Sequence, residues 1–281
     1  MAIITFWGNN REHVGKTLSV VAVATQMAIE HNKKILILST SFNDDTLKNC
    51  FFEDDKKTKK NLGIFGANSN NIALQNGIEG LDRIVRSNRV TPDIITDYTK
   101  IVFKNRLEVL LGYNGEDRQV YTQISENYQK VIELADKYYD IVLVDLDTTI
   151  SKEIQDEIIK ISDILIVTLS QRLKALNNFI QIKERNPLFK DPKVLLLIGR
   201  YDKFSKYTSK NISRYLGEKN QVLTLPYNTQ YFEACEEARV PDMFLKLRKI
   251  DSEDRNAFFI SEVNRLSENI LYRLQVLQQR R

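Results

Sequence analysis

The chain has 281 residues, of which 42% are hydrophobic and 28% are charged. This composition excludes a disordered, collagen-like or coiled-coil protein, and a chain of this length buries roughly three quarters of its surface on folding, so it needs no disulfide or metal to stabilise it. Forty-one Lys and Arg against 37 Asp and Glu leave a net charge of +4, which is weak support for a nucleic-acid partner because the charges are interspersed.

Two features favour a cytoplasmic protein. Cys50 and Cys235 are far apart in sequence and lack metal-ligand spacing, which fits a reducing compartment in which neither forms a disulfide. The opening MAIITFWGNN has no basic region leading into an apolar stretch. No run in the chain approaches the roughly 18 apolar residues of a membrane span. We therefore expect neither export nor membrane insertion.

The apolar segments alternate between strand length and helix length along the chain. Residues 3–7 predict a strand, and residues 17–28 are an apolar run long enough for a buried helix. Further strands are predicted at 35–38, 107–111, 141–144, 164–167, 194–198 and 222–225. Continuous apolar strands separated by helical stretches are typical of a parallel sheet covered on both faces. The prediction is an α/β fold, a mostly parallel twisted sheet with helices on both faces, in a single domain over residues 1–281.

The apolar pattern weakens between residues 39 and 106, and we expect a variable, exposed polar insertion around 43–71. The charged stretch at 54–60 is interpreted as a solvated loop, with a partner-binding patch as the alternative. Helices are predicted at 72–88, 91–104 and 121–138. Residues 253–281 carry apolar side chains at the spacing of an amphipathic helix and predict a C-terminal helix.

Gly15-Lys16-Thr17 lies between the first predicted strand and the first predicted helix, which is the context of a phosphate-binding loop. Loop N–H groups and the positive helix end would hold an anion, the Lys16 ammonium would reach the terminal phosphates, and the Thr17 hydroxyl would ligate Mg²⁺. The complete motif has a glycine where this chain has Asn10, but asparagine tolerates positive φ and the loop can still close. The alternative is a helix N-terminus with an incidental lysine, which the flanking strand and helix disfavour.

A second strand end supports this site. Residues 140–145 form an apolar strand that delivers Asp145 at its carboxyl end. Ligands of open α/β sheets bind outside these ends, so Asp145 is expected to hold Mg²⁺ through water. Two alternatives are that Asp145 is a turn residue that terminates the strand, and that Asp147 takes the metal role.

With these motifs in this order, the chain resembles the deviant Walker A ATPases, which comprise ParA, MinD and their relatives. Residues 11–17 occupy the frame of their K-G-G-x-G-K-[ST] loop. The similarity covers nearly the whole length through the segments 34–38, 139–145, 161–168, 199–202 and 225–228. The resemblance implies a bacterial cytoplasmic protein that binds ATP or ADP with Mg²⁺ and dimerises around the nucleotide.

The resemblance also assigns roles to individual residues. Lys16 and Asp145 would be catalytic, and Thr17 and Asp145 would bind the metal. Arg11 stands at the family's early loop lysine, so it either crosses to the partner subunit's nucleotide as a third catalytic residue or faces solvent. The nucleotide-binding residues would be Asn10, Glu12, His13, Val14, Gly15, Lys16, Thr17, Leu18, Arg200 and Tyr227.

Three departures from the family pattern bear on activity. Glu12 and His13 replace two glycines, which should weaken nucleotide affinity, and His13 is interpreted as an exposed loop residue, with a catalytic base as the alternative. The family's D-x-D after the second strand is replaced by residues 39–41, Ser-Thr-Ser. Losing such a water-positioning carboxylate typically costs a factor of hundreds or more in rate, unless Asp44 or Asp45 takes its place.

The third departure concerns base recognition. Gly199 stands where the family usually has an asparagine. Recognition of adenine would then depend on backbone groups and on packing by Arg200 or Tyr227.

Two hypotheses of function follow. In the first, ATP binding drives homodimerisation, the dimer engages a surface or partner to position a cargo, and slow ATP hydrolysis resets it. In the second, a non-hydrolysing, nucleotide-bound protein is a landmark or scaffold for an assembly such as a pilus or secretion system, as in the pilus-assembly localisation relatives of this family.

Three kinds of binding surface are considered for either hypothesis. One is a protein partner or cargo. Another is the inner face of the membrane, contacted peripherally by the apolar stripe of residues 270–281, for which a packed helix face is the alternative. The last is DNA, bound by a basic patch of Lys203, Lys206, Lys210 and Arg214.

Overall fold

A computed structural model describes residues 1–8, 13–53, 77–87, 90–219 and 221–279. Within these residues, eight strands form one sheet in the order β3-β4-β2-β5-β1-β6-β7-β8, with β3 antiparallel to β4 and all other neighbours parallel. The strands are β1 (Ala2–Gly8), β2 (Ile35–Ser39), β3 (Lys100–Phe103), β4 (Leu107–Leu110), β5 (Ile141–Asp145), β6 (Ile164–Leu169), β7 (Val194–Tyr201) and β8 (Leu223–Pro226).

Helices connect the strands and cover the sheet. Two short 3₁₀ segments, Pro92–Asp97 and Pro187–Lys190, accompany the α-helices. The α-helices of the described residues are α1 (Lys16–Glu30), α2 (Thr46–Phe51), α3 (Ile78–Arg86), α4 (Arg118–Ser125), α5 (Tyr128–Asp136), α6 (Lys152–Ile161), α7 (Leu173–Arg185), α8 (Ser209–Tyr215), α9 (Thr229–Glu236), α10 (Val240–Leu247) and α11 (Ala257–Gln278).

Successive residues of the inner strands supply two separate cores. On β1, Ile4 and Phe6 pack with α1, α2 and α9 to α11, while Ile3 and Trp7 face the opposite layer with α3 to α8. Side chains alternate across a strand, so a strand buried on both faces must be apolar throughout. The α/β prediction with helices on both faces is confirmed, and each predicted strand is present.

The helix predicted at 91–104 is wrong. This segment forms the 3₁₀ turn at Pro92–Asp97 and then strand β3, which turns back through Asn105 at φ 61° into β4. A positive φ at Asn105 and the Arg106 N–H···O bond to Phe103 close a tight turn that a helix cannot contain. Lys100, Ile101 and Phe103 then pair with β4 along the sheet edge, with a register shift between Ile101 and Phe103.

The helix predicted at 121–138 is two helices, α4 and α5. The helix is interrupted at Asn127, whose side-chain amide donates to the buried carboxylate of Asp82 on α3 at 2.8 Å. Tertiary pairing of two buried polar groups therefore overrides helix continuity at this point. The helix predicted at 72–88 is observed as α3, and residues 72–76 and 88 lie outside the described residues.

The polar insertion predicted around 43–71 is not exposed throughout. Helix α2 packs Leu47, Cys50 and Phe51 into the core beside α9. Residues 54–71, including the charged stretch, lie outside the described residues. Cys50 and Cys235 are both buried free thiols, and the hydrogen bond between them together with burial raises the pKa of Cys50. The fold thus brings together two free thiols that are 185 positions apart in sequence.

The predicted C-terminal helix is observed as α11, and its apolar stripe packs against the core. Val263, Ile270 and Leu274 are buried in the core, where α11 packs against α1 and β8. Lipid contact through this stripe would require the helix to leave its packed position, which exposes apolar surface to water first. No helix among the described residues combines the length and the apolar character that crossing a bilayer requires.

Candidate functional site

The candidate site lies at the centre of the sheet, where β1 ends between β5 and β6. In the parallel register Phe6 pairs with Asp145 and Gly8 pairs with Thr168, so the three carboxyl ends meet at one edge. The loop that follows β1 leads into α1. Its residues Asn10, Arg11 and Glu12 lie outside the described residues, and the roles assigned to them stay predictions.

The described end of this loop presents backbone donors that helix α1 itself does not satisfy. His13 and Gly15 have φ of 46° and 78°, and Gly15 caps α1 without a side-chain hydrogen bond. The first intrahelical bond is Ser19 N–H to Gly15 O at 2.9 Å. The N–H groups of residues 16–18 therefore have no partner within the helix, which is the arrangement that binds anions. His13 is exposed, as expected for a loop residue.

Lys16 and Thr17 converge on one carboxylate. Lys16 Nζ lies 2.6 Å from Asp145 Oδ1, and Thr17 Oγ1 donates to Asp145 Oδ2 at 2.8 Å. Lys16 Nζ also donates to Leu146 O at 2.7 Å. The Lys16 and Asp145 side chains are only 10% and 4% exposed, so their charges interact with little screening by solvent. Asp145 is thus the carboxylate that contacts both loop residues, whereas Asp147 accepts the Thr149 N–H in a turn.

The end of the loop packs closely against β7. Val14 is buried, and its carbonyl oxygen faces Gly199, where a Cβ atom would lie only 2.0 Å from it. A side chain at position 199 therefore cannot be accommodated without moving the loop. This contact explains physically why the chain has glycine, not asparagine, at this point.

An apolar cleft opens beside Gly15. Tyr227 and Phe232 are 56% and 39% exposed at its rim, and Leu18 and Tyr231 lie within it. The Tyr231 hydroxyl donates to Leu18 O at 2.6 Å, and burial raises its pKa, so it stays a donor at neutral pH. The remaining lining residues are Arg200, Leu225, Pro226 and Asn228. The cleft, with a volume of only about 20 Å³, thus places aromatic side chains next to the N-terminus of α1.

Arg200 joins the cleft to the loop. Its φ is 51°, an uncommon value for a non-glycine residue, and its side chain lies over Gly15, with Cγ 3.2 Å from where a Cβ of Gly15 would be. The structure therefore brings together Arg200 and Tyr227 with Val14 to Leu18, as the predicted nucleotide set requires.

The loop after β2 carries no carboxylate toward this site. Ser39 and Ser41 hydrogen-bond to each other at 2.9 Å, and Thr40 is fixed by its N–H to Asp145 O and by Asp147 N–H to its Oγ1. The Tyr121 hydroxyl donates to Thr40 O at 2.7 Å. The segment is therefore tied to β5 and α4 over several hydrogen bonds.

Asp44 and Asp45 are engaged away from Lys16. Asp44 accepts the Thr46 N–H at 2.8 Å, and Asp45 accepts from the Asn114 side chain at 3.2 Å. Because the preceding loop is fixed, neither carboxylate replaces the missing acid in this arrangement.

Several site residues were not predicted from the sequence. Phe232 and Tyr231 on α9 line the cleft. Gly8 lies against Thr168 and Val14, where an added Cβ would be 3.1 Å from Thr168 O and from Val14 Cγ2. The aromatic pair directly after the 225–228 loop was the available signal for the cleft. The contact between Val14 and Gly199 joins residues far apart in sequence, and no local pattern reveals it.

No protein-family model and no curated protein sequence matches the chain. Similar solved structures exist at low identity. A ParA family ATPase from Chlorobium tepidum TLS is 14% identical over 96% of this chain and 98% of that chain, with a TM-score of 0.67. The septum site-determining protein MinD of Pyrococcus horikoshii OT3, complexed with Mg-ADP, is 14% identical over 97% and 98%, with a TM-score of 0.64. The chain has the ParA/MinD fold.

A third structure with the ParA/MinD fold is a putative plasmid partition protein from Borrelia burgdorferi B31 bound to AMPPNP. It is 19% identical over 98% of each chain, with a TM-score of 0.60. Two of these three neighbours therefore hold a nucleotide or its analogue. The narrower resemblance to pilus-assembly localisation proteins stays a prediction.

Proposed function

We propose that the chain is an ATP-binding switch protein that dimerises around nucleotide, hydrolyses it slowly and positions a cellular cargo. The observation that carries the proposal is the convergence of Lys16 and Thr17 on Asp145, at 2.6 and 2.8 Å. A buried lysine, a hydroxyl and a carboxylate beside free helix N–H groups are the parts that bind a nucleotide phosphate with its metal.

The donor set suits Mg²⁺. The Thr17 hydroxyl and the Asp145 carboxylate are oxygen ligands on neighbouring elements, which this cation prefers. With nucleotide bound, Thr17 and Asp145 would hold the ion, which supplies charge neutralisation between phosphates. Lys16 would exchange its contact with Asp145 for the terminal phosphates, and the aromatic cleft would take the base.

Slow hydrolysis follows from the loop after β2. Ser39 and Ser41 supply no charge, and Asp44 and Asp45 are held elsewhere. Removal of one water-positioning or charge-stabilising group typically lowers a rate by a factor of hundreds. The alternative is a nucleotide-bound, non-hydrolysing landmark or scaffold for an assembly such as a pilus or secretion system, and the same lack of a carboxylate in the described loop supports it.

Binding of a fluorescent ATP analogue with and without Mg²⁺ tests the site. We expect Mg²⁺-dependent binding that Lys16→Ala abolishes, while Lys33→Ala, an exposed lysine after α1, leaves it unchanged. Equal binding by Lys16→Ala would refute the assignment. Light scattering with ATP then tests dimerisation, and multiple-turnover phosphate release separates the slow switch from the landmark, for which turnover stays at background.

A further inference from the structure

A second groove lies between α7 and α8, on elements outside the nucleotide cleft. It has a volume of about 380 Å³, and its lining residues are Leu173, Leu176, Lys206, Tyr207, Asn211, Ile212 and Tyr215. Leu176 and Ile212 are buried and form an aliphatic floor, while Leu173 and Tyr215 are 40% and 47% exposed at the rim. This volume is within the range that accommodates a bound side chain or small ligand.

Hydrogen bonds hold the two walls of the groove together. The Gln171 side chain, just before α7, donates to Asp202 O and Tyr207 O at 3.1 and 2.9 Å and accepts the Asp202 N–H at 2.7 Å. At the other end, the Tyr215 hydroxyl on α8 donates to Asn177 on α7. The groove is therefore preformed, and an occupant need not bear the cost of ordering it.

The charge around the groove is concentrated and positive. Segments 172–178 and 202–215 carry six basic residues and one acidic residue, whereas the entire chain has a net charge of only +4. The acidic residue, Asp202, accepts the Phe204 N–H. All six basic side chains are exposed, and none forms an ion pair within the described part of the chain: Arg172, Lys174, Lys203, Lys206, Lys210 and Arg214.

We infer that this groove binds an acidic, amphipathic peptide segment of a partner protein. An apolar side chain of the peptide would fill the aliphatic floor, and its carboxylates would meet the basic rim. Nucleic acid matches the charge, and Tyr207 and Tyr215 in the groove offer ring faces on which a base could stack. The buried floor of Leu176 and Ile212 is aliphatic, however, and an apolar side chain of a peptide fills it better than a planar base does. A second copy of this chain would place the same positive surface against itself in a two-fold contact.

The inference goes beyond the proposed nucleotide switch and does not depend on it. The groove residues differ from those of the nucleotide cleft, so a groove variant should bind the ATP analogue normally. Failure of one proposal is therefore distinguishable from failure of the other.

The test selects peptides from a displayed random library of about 12 residues, roughly 18 Å as a helix, on the full-length chain. Affinities of synthetic copies are then measured by fluorescence anisotropy. The groove variant is Lys206→Glu/Lys210→Glu, and Leu173→Ser tests the apolar rim. The matched control is Lys246→Glu/Lys249→Glu, which makes the same charge change at exposed positions at the end of α10.

We expect selected peptides to combine Asp or Glu with Leu, Ile or Phe. Their affinity should fall about ten-fold or more in the groove variant and in Leu173→Ser, and stay unchanged in the control. Selection of no such peptides, or equal affinity for the groove variant, overturns the inference. The same holds if a DNA oligonucleotide binds the groove and displaces the peptides with higher affinity, because the surface would then belong to nucleic acid.

Discussion

Substitution of Gly199 by alanine tests the packing between β7 and the described end of the loop that leads into α1. The new Cβ would lie 2.0 Å from Val14 O, whereas a normal carbon–oxygen contact is about 3.3 Å or longer. The loop and β7 must therefore separate by about 1.3 Å. Overpacking of this kind costs about 1–3 kcal/mol of folding stability, and a shift of about 1 Å in a binding group can cost on the order of 100-fold in function.

The assay compares thermal unfolding with affinity for a fluorescent ATP analogue. Trp7, the single tryptophan, lies immediately before Gly8 at the start of this loop, so its emission reports local displacement. Gly217→Ala is the matched control: Gly217 has φ 67°, and a methyl group added there would meet no described atom within 4 Å. It should lower stability by about 1 kcal/mol from backbone strain and leave nucleotide affinity unchanged.

The result that refutes this reasoning is a Gly199→Ala chain with the natural stability and the natural nucleotide affinity. Loss of affinity in both variants to the same degree would also contradict it, because the effect would then follow overall stability and not the contact with Val14.

Three further predictions concern stability. In the nucleotide-free chain, Lys16→Ala should destabilise the fold by about 3 kcal/mol because it leaves the buried Asp145 without its cationic partner. In chemical denaturation, the double variant Lys16→Ala/Asp145→Ala should lose less unfolding free energy than the two single variants lose together. Leu274→Ala should lower the unfolding free energy by about 2–5 kcal/mol, because this residue packs in the core. Since the same packing keeps the apolar stripe from lipid, the natural chain should not pellet with liposomes. Burial raises the pKa of Tyr121 from 10 to about 12. The contribution of the protonated Tyr121 hydroxyl to the free energy of unfolding is therefore complete below pH 10 and is lost as the pH rises through 12. The full loss is about 3 kcal/mol, of which about 1.4 kcal/mol has occurred by pH 11. Urea unfolding at pH 9 and pH 11 should therefore show a loss that is smaller by about this amount in Tyr121→Phe, but not in Tyr272→Phe, whose ring is 68% exposed.

Much of the fold could be predicted because its determinants are local. Each inner strand is an apolar run, and the run of residues 17–28 after the loop is too long for a strand. The positions of Lys16, Thr17 and Asp145 could be predicted for the same reason, since Lys16 and Thr17 stand at the start of the predicted helix and Asp145 stands at the end of a predicted strand. The apolar spacing of the last helix also predicted a packed helix face, as the alternative to a membrane contact.

The misassigned segments depend on contacts that are distant in sequence. The break between α4 and α5 depends on Asn127 meeting Asp82, and strand β3 depends on a turn at Asn105 and pairing with β4. The contacts of Cys50 with Cys235 and of Val14 with Gly199 exist only after the layers assemble. Hydrophobic periodicity carries no information about such pairs.

The fixed segment after β2 also bears on whether a carboxylate can be introduced into this loop. A Cβ atom at Gly112 would lie 2.5 Å from both Ser41 O and Ser41 Oγ, so the loop after β4 already presses against this serine. The bridge of Phe42 to Tyr113 and the Asn43 N–H bond to Tyr113 O extend the same contact. A larger acidic side chain at position 41 would have to displace both loops at once. A carboxylate at position 41 therefore requires concerted changes in two separate segments, and a screen of single substitutions will not introduce it.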